Sequence, residues 1–211
     1  MRFWNISGVG LVKYEKEFRG HFAKEPMFTF GDTRRFLGSL GASEAYAKLF
    51  IHNQIKRHGL LRIGKGRYTF RNDEAVVGFG FRPFYYGMEY ALTLRRLWTQ
   101  MANPVVITAT KAVPGTRQSM GRTILVRRIS RSMFFGIEYI RYGDVFIPVS
   151  DVEKTLIDFI YYRVAPGEGV LGELVAEVDP KKMGAYKKRC GKRVRAALSK
   201  LLMKNPRSAT A

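Results

Sequence analysis

The chain has 211 residues, 46% of them hydrophobic and 13% aromatic, which is enough to bury a core and excludes global disorder. Lysine and arginine number 37 against 17 acids, a net charge of +20 that attracts polyanions but carries no sequence information itself. No apolar run approaches the roughly 18 residues of a membrane span. The opening MRFWNISGVGLVKYEKEF also lacks a secretory hydrophobic stretch, so a cytoplasmic protein without membrane contact is expected.

In chain order, YEKEFRGHFAKE at 14–25 predicts a short amphipathic helix, and Met27–Phe30 a brief strand ended by Gly31. Asp32 and Thr33 offer N-cap chemistry to a helix running to Leu40. A Leu40-Gly41-Ala42 turn follows. Ser43 then caps a second helix to His58, which Gly59 stops as a C-cap glycine. Leu60–Ile63 and Arg67–Phe70 flank a Gly64-Lys65-Gly66 tip and predict a hairpin, since glycine tolerates the positive φ of the reversal. Helix, turn, helix and basic-tipped hairpin in that order is the winged-helix arrangement. The polar junction Arg71–Glu74 marks a domain boundary.

Beyond it, Phe84–Trp98 predicts a helix in spite of Gly87, and 104–110, 122–129 and 136–142 predict strands. Gly143-Asp144 turns the last of these into Val145–Val149. Ser150 and Asp151 cap a helix to Arg163, with Lys154 and Asp158 as an i,i+4 pair. A short helix at 166–178 and one or two basic helices at 180–204 complete the reading. The expected class is α+β. An N-terminal winged helix-turn-helix at 1–72 precedes a mixed α/β domain at 73–204 with a basic helical end, and 205–211 is a flexible tail. Charge follows the same division: 14 basic against 5 acidic groups in 1–72, 12 against 9 in 73–170, and 11 against 3 in 171–211.

A helical wheel through the second helix puts Ala47, Phe50, Ile51 and Ile55 on an inward stripe. Ala45, Lys48, His52, Asn53 and Lys56 fall on the opposite side, with Leu49 an apolar exception among them. A recognition helix needs such a face: small or polar groups at its start for base edges, cations for phosphates. His52 and Asn53 are therefore candidates for base contact and Lys48, Lys56 and Arg57 for phosphate, with Ser43 at the helix start counted in the same DNA-binding set. Arg34 and Arg35 on the preceding helix suit backbone contacts, and Lys65 with Arg62 and Arg67 suits a minor groove or a phosphate clamp. A second cationic surface is expected from Lys181, Lys182, Lys187, Lys188, Arg189, Lys192, Arg193 and Arg195, edged by Val194, Leu198, Leu201 and Leu202.

No catalytic set, metal site or cofactor is expected. His21, His52 and His58 lack ligand spacing, and neither a phosphate-binding glycine loop nor a Gly-x-Ser-x-Gly elbow occurs. Asp144, Asp151, Glu153 and Asp158 are the acids that cluster in the middle of the chain. Glu153 and Lys154 are adjacent at a helix start, where capping explains them better than a nuclease metal site does. The single cysteine, Cys190, excludes an internal disulfide; its basic neighbours are of the kind that favour the thiolate, but an incidental cysteine is the expected reading over a redox role. RNA-platform signatures such as RRM or KH are absent.

Three segments carry a resemblance: GLLRIGKGRYTF at 59–70, YYGMEYALTLRRLWTQMANPVVITAT at 85–110 and FIPVSDVEKTLIDFIYY at 146–162. The chain resembles the AbiEi-type antitoxins of type IV toxin–antitoxin systems and their standalone regulator relatives, over about three quarters of its length. Glu153-Lys154-Thr155-Leu156-Ile157-Asp158 is the most distinctive string. Residues 1–13 and 181–204 lie outside the likeness. The resemblance implies an autorepressor that binds double-stranded operator DNA through its N-terminal domain. Its C-terminal domain would oppose a nucleotidyltransferase-like toxin without a stable complex being required. The alternatives are a standalone winged-helix regulator without a toxin, a metal-dependent nuclease or an RNA-binding protein.

Overall fold

Thr29 begins the second helix of the chain by closing a capping box: its hydroxyl accepts from the Asp32 amide, and the Asp32 carboxylate accepts from the Thr29 amide at 2.8 Å. The computed structural model describes residues 13–57, 59–167 and 169–204. The expected helix end at His58 and the expected tail at 205–211 lie outside them. Two compact units divide between Asn72 and Asp73.

In unit 1, α1 (Glu15–Phe22) leads to β1 (Phe28–Thr29), α2 (Phe30–Ser39), α3 (Glu44–Arg57), β2 (Leu61–Gly64) and β3 (Arg67–Thr69). The expected cap at Asp32 and Thr33 is corrected to Thr29, because Asp32 takes the third helical position of the box and Gly31 lies inside the helix. The three strands form an antiparallel sheet in the order β1-β3-β2, with Lys65-Gly66 as the turn and Gly66 at φ +66°. Phe18 is fully buried at the centre of the core, its ring within 4.7 to 6.0 Å of Phe22, Phe28, Phe36, Phe50 and Phe70. Such edge-to-face packing adds to the burial of the rings and substitutes for bulk in so small a unit.

Unit 2 is built on a six-stranded mixed sheet, order β6-β7-β5-β4-β9-β8. Its strands are β4 (Phe84–Tyr86), β5 (Val105–Thr108), β6 (Gly115–Ser119), β7 (Arg122–Arg128), β8 (Ile137–Tyr142) and β9 (Val145–Ser150). Helices α4 (Met88–Leu94), α5 (Val152–Tyr162), α6 (Val170–Ala176), α7 (Pro180–Arg189) and α8 (Lys192–Lys204) accompany it. The mixed α+β class is therefore observed. The expected helix at Phe84–Trp98 is corrected: Phe84-Tyr85-Tyr86 is a strand, antiparallel to β5 and parallel to β9, and the helix begins only after Gly87. A Cβ on Gly87 would lie 2.4 Å from the Ile107 side chain, so the glycine marks the close approach of β4 to β5. Strand β6 and the 3-10 segment Glu74–Phe81 were not legible from periodicity. Among the described residues, no helix is long and apolar enough to cross a membrane.

Candidate functional site

Helix α3 and the β2–β3 hairpin carry most of the DNA-contact candidates of unit 1. Ser43 caps α3, its hydroxyl accepting from the Tyr46 amide at 3.2 Å, so it is committed locally. Burial corrects the inward stripe: Ala47, Phe50, Ile51 and Gln54 face the core, while Ile55 keeps 38% of its surface exposed. Gln54 occupies the place expected for Ile55 because residues 47, 50, 51 and 54 follow the i, i+3, i+4, i+7 spacing of one helix face. Leu49 is exposed, so the apolar exception stays on the solvent side beside Lys48, His52 and Lys56.

The cations fall into two groups. Glu44 draws Lys48 to 3.1 Å and Arg34 to 3.2 Å, and these hydrogen bonds, Lys48's first, hold its carboxyl below the usual range. Arg35 pairs with Asp32, whose carboxyl is held low by the Thr29 hydroxyl before the guanidinium adds to it. By contrast, no ion pair engages Lys56, Arg57, Arg62, Lys65 or Arg67 among the described residues, and all five are exposed. A groove of about 330 Å³ between α3 and the hairpin brings Lys48, His52 and Arg62 together, with Phe30, Ile51 and Ile55 as its apolar walls. Asn53 is half-buried and lies outside that groove. Sequence reasoning missed Phe30 and Ile55 as groove residues, because apolar side chains were assigned to the core by hydropathy.

In unit 2 the expected second cationic surface is divided. The segment forms two helices broken at Cys190-Gly191, and half of its named cations are occupied internally. Lys182 lies within 3.1 to 3.3 Å of Asp151, Glu153 and Glu138. Burial opposes its charge, but the hydrogen bonds and charges of Asp151 and Glu153 prevail and raise its pKa above the ordinary lysine value. Arg193 donates to the carbonyls of Ile160 and Tyr161 at the end of α5, and Arg195 to those of Lys188 and Cys190. Arg189 lies 4.1 Å over the Phe135 ring. Lys187 is half-buried, so Lys181, Lys188 and Lys192 are the members both exposed and without such a side-chain contact among the described residues.

The Glu153–Asp158 string is interior. Lys154 and Asp158 pair with both side chains fully buried, and Tyr85 donates to Asp158 at 2.9 Å. Burial pushes the Asp158 carboxyl up, against the pull of Lys154. Asp151 caps α5 by accepting from the Lys154 amide at 2.7 Å and also accepts from Tyr186 at 2.7 Å. Gly136 belongs to the same place: at φ +66°, an added Cβ would meet Lys154 Cβ at 2.7 Å. Asp144 lies exposed in the β8–β9 turn, apart from these acids. No group of three or more His, Cys, Asp or Glu among the described residues could hold a metal ion. The thiolate expectation for Cys190 is corrected, since the residue is buried and burial pushes its thiol pKa up.

With this geometry established, comparison with known proteins adds a fold and no more. No protein-family model and no curated protein matches the chain. Among solved structures it is similar to the RV2827C protein from Mycobacterium tuberculosis. The TM-score is 0.62 and the identity 13%, covering 94% of this chain and 79% of that one. At that identity the likeness concerns backbone architecture and transfers no site residue.

Proposed function

We propose that this chain is a DNA-binding transcriptional regulator, with unit 1 a winged helix-turn-helix and unit 2 an AbiEi-like effector domain. The observation that carries the proposal is the exposed cationic set of α3 and the hairpin, Lys56, Arg57, Arg62, Lys65 and Arg67, which forms no ion pair among the described residues. A cluster of like charges without acids is self-repulsive and gains most from a polyanion. In this reading α3 enters the major groove, where His52 and Asn53 address base edges and Leu49 a thymine methyl. Lys65 at the hairpin tip reaches the adjacent backbone or minor groove. Glu44 holds Lys48 and Arg34 in place until phosphate displaces it.

The direct test is a gel shift with duplex DNA from upstream of the chain's own gene. Wild type should bind and Lys56→Ala with Lys65→Ala should bind clearly more weakly at the same salt concentration; equal binding by both would remove the proposal. Competition with duplex RNA separates the RNA-binding alternative, which requires RNA to win. The AbiEi-like arm is tested by co-expression with a neighbouring nucleotidyltransferase-like toxin. Restored growth supports it, and continued toxicity reduces the function to a regulator alone. Unit 2 suits a non-catalytic role in this scheme because Asp151, Glu153, Lys154 and Asp158 are spent on one another and on the helices they join.

A further inference from the structure

The β8–β9 hairpin of unit 2 presents aromatic rings to water at a sheet edge. Tyr139 is 72% exposed and Phe146 62% exposed. Cross-strand register sets Tyr139 opposite Pro148 and Arg141 opposite Phe146, so these four side chains share one face of the hairpin. Beside them opens a cavity of about 660 Å³, lined by Phe79, Arg82, Phe84, Phe134 and Tyr139 with no acid among its lining residues. The exposed Arg82 guanidinium lies 4.5 Å over the Phe79 ring at the cavity wall.

We propose that this face binds single-stranded nucleic acid by stacking an unpaired base in the cavity. An exposed ring such as Tyr139 beside a guanidinium such as Arg82 is the chemistry that recognises a flat base carrying phosphate, whatever the base's identity. The cavity volume lies in the range of ligand sites that enclose one such group. Charge separates this occupant from a second copy of the chain, which would bring its own Arg82 and Arg141 and a net +20 to the contact. Duplex DNA is excluded here, because its bases are already stacked and paired. The site is therefore independent of the duplex contact proposed for unit 1 and stands or falls separately.

The test uses the full chain and an oligothymidylate of about 12 nucleotides carrying one 5-iodouracil. Irradiation followed by peptide mapping should place the crosslink on Tyr139, Phe146 or Phe134. By anisotropy, Tyr139→Ala with Phe146→Ala should bind the single strand about 10-fold more weakly. Tyr139→Phe should retain binding, Arg82→Ala should weaken it, and duplex affinity should be unchanged in all of them. Circular dichroism establishes that each variant is folded. Crosslinks confined to residues 43–67 or 181–204 would overturn the proposal. So would unchanged single-strand affinity in the folded double variant, or an equal loss for single and double strands.

Discussion

Gln54 is the least expected residue in the core of unit 1. It is fully buried, and neither side-chain amide atom has a hydrogen-bond partner among the described residues. Leaving such a group unsatisfied costs about 1–3 kcal/mol, which an apolar side chain of similar length does not incur. Gln54→Met should therefore raise the stability of unit 1 by about 1 kcal/mol in urea unfolding; a loss of stability would show that the amide is satisfied in solution. Lys182 is the opposite case, a cation that its partners require. Asp151 and Glu153 are almost completely buried, so removing the ammonium leaves two interior carboxylates without it. Lys182→Met should cost about 2 kcal/mol, less than a fully buried pair because a third of the lysine faces water. Its folded pKa is raised, so this contribution is complete below 10.5 and is lost as the pH climbs through the folded value. The gap between wild type and variant should hold at neutral pH and narrow under alkaline conditions. A constant gap throughout would assign the effect to packing rather than charge.

At the scale of elements, the Thr29–Asp32 capping box ties the start of α2 to the end of β1. Thr29→Ala should lower the stability of unit 1 by about 1 kcal/mol, measured by thermal or urea unfolding. A change near zero would mean that water replaces the hydroxyl. The box was present in the sequence as Thr-x-x-Asp, yet Asp32 drew the cap to itself because aspartate is as good a cap as threonine. The hairpin at 61–69 and the β8–β9 hairpin were legible because turn glycines and alternation agree there. The strand at 84–86 was not. Phe84-Tyr85-Tyr86 is apolar on both faces because this central strand is buried on both, and a short continuous apolar run has no period to distinguish it from helix. Strand β6, Gly-Thr-Arg-Gln-Ser, failed for the opposite reason, being a mostly polar edge strand. Among candidate site residues, the cations of α3 and the hairpin could be named from sequence. The internal duties of Lys182, Arg193 and Arg195 could not, since their partners lie about 30 to 45 positions away or in the break between two helices.

For the molecule as a whole, a net charge of +20 makes affinity for any polyanion a weak argument, so specificity must rest on how binding responds to defined changes. Salt dependence supplies that response, because each phosphate neutralised contributes about −0.9 to the slope of log K against log salt. The most direct measurement is the affinity of wild type and of Lys56→Ala with Lys65→Ala for the upstream duplex over a salt series. The account predicts steep salt dependence for wild type and a slope shallower by about 2 for the double variant, with the fold intact. Identical slopes, or no duplex binding by the wild-type chain at low salt, would contradict it.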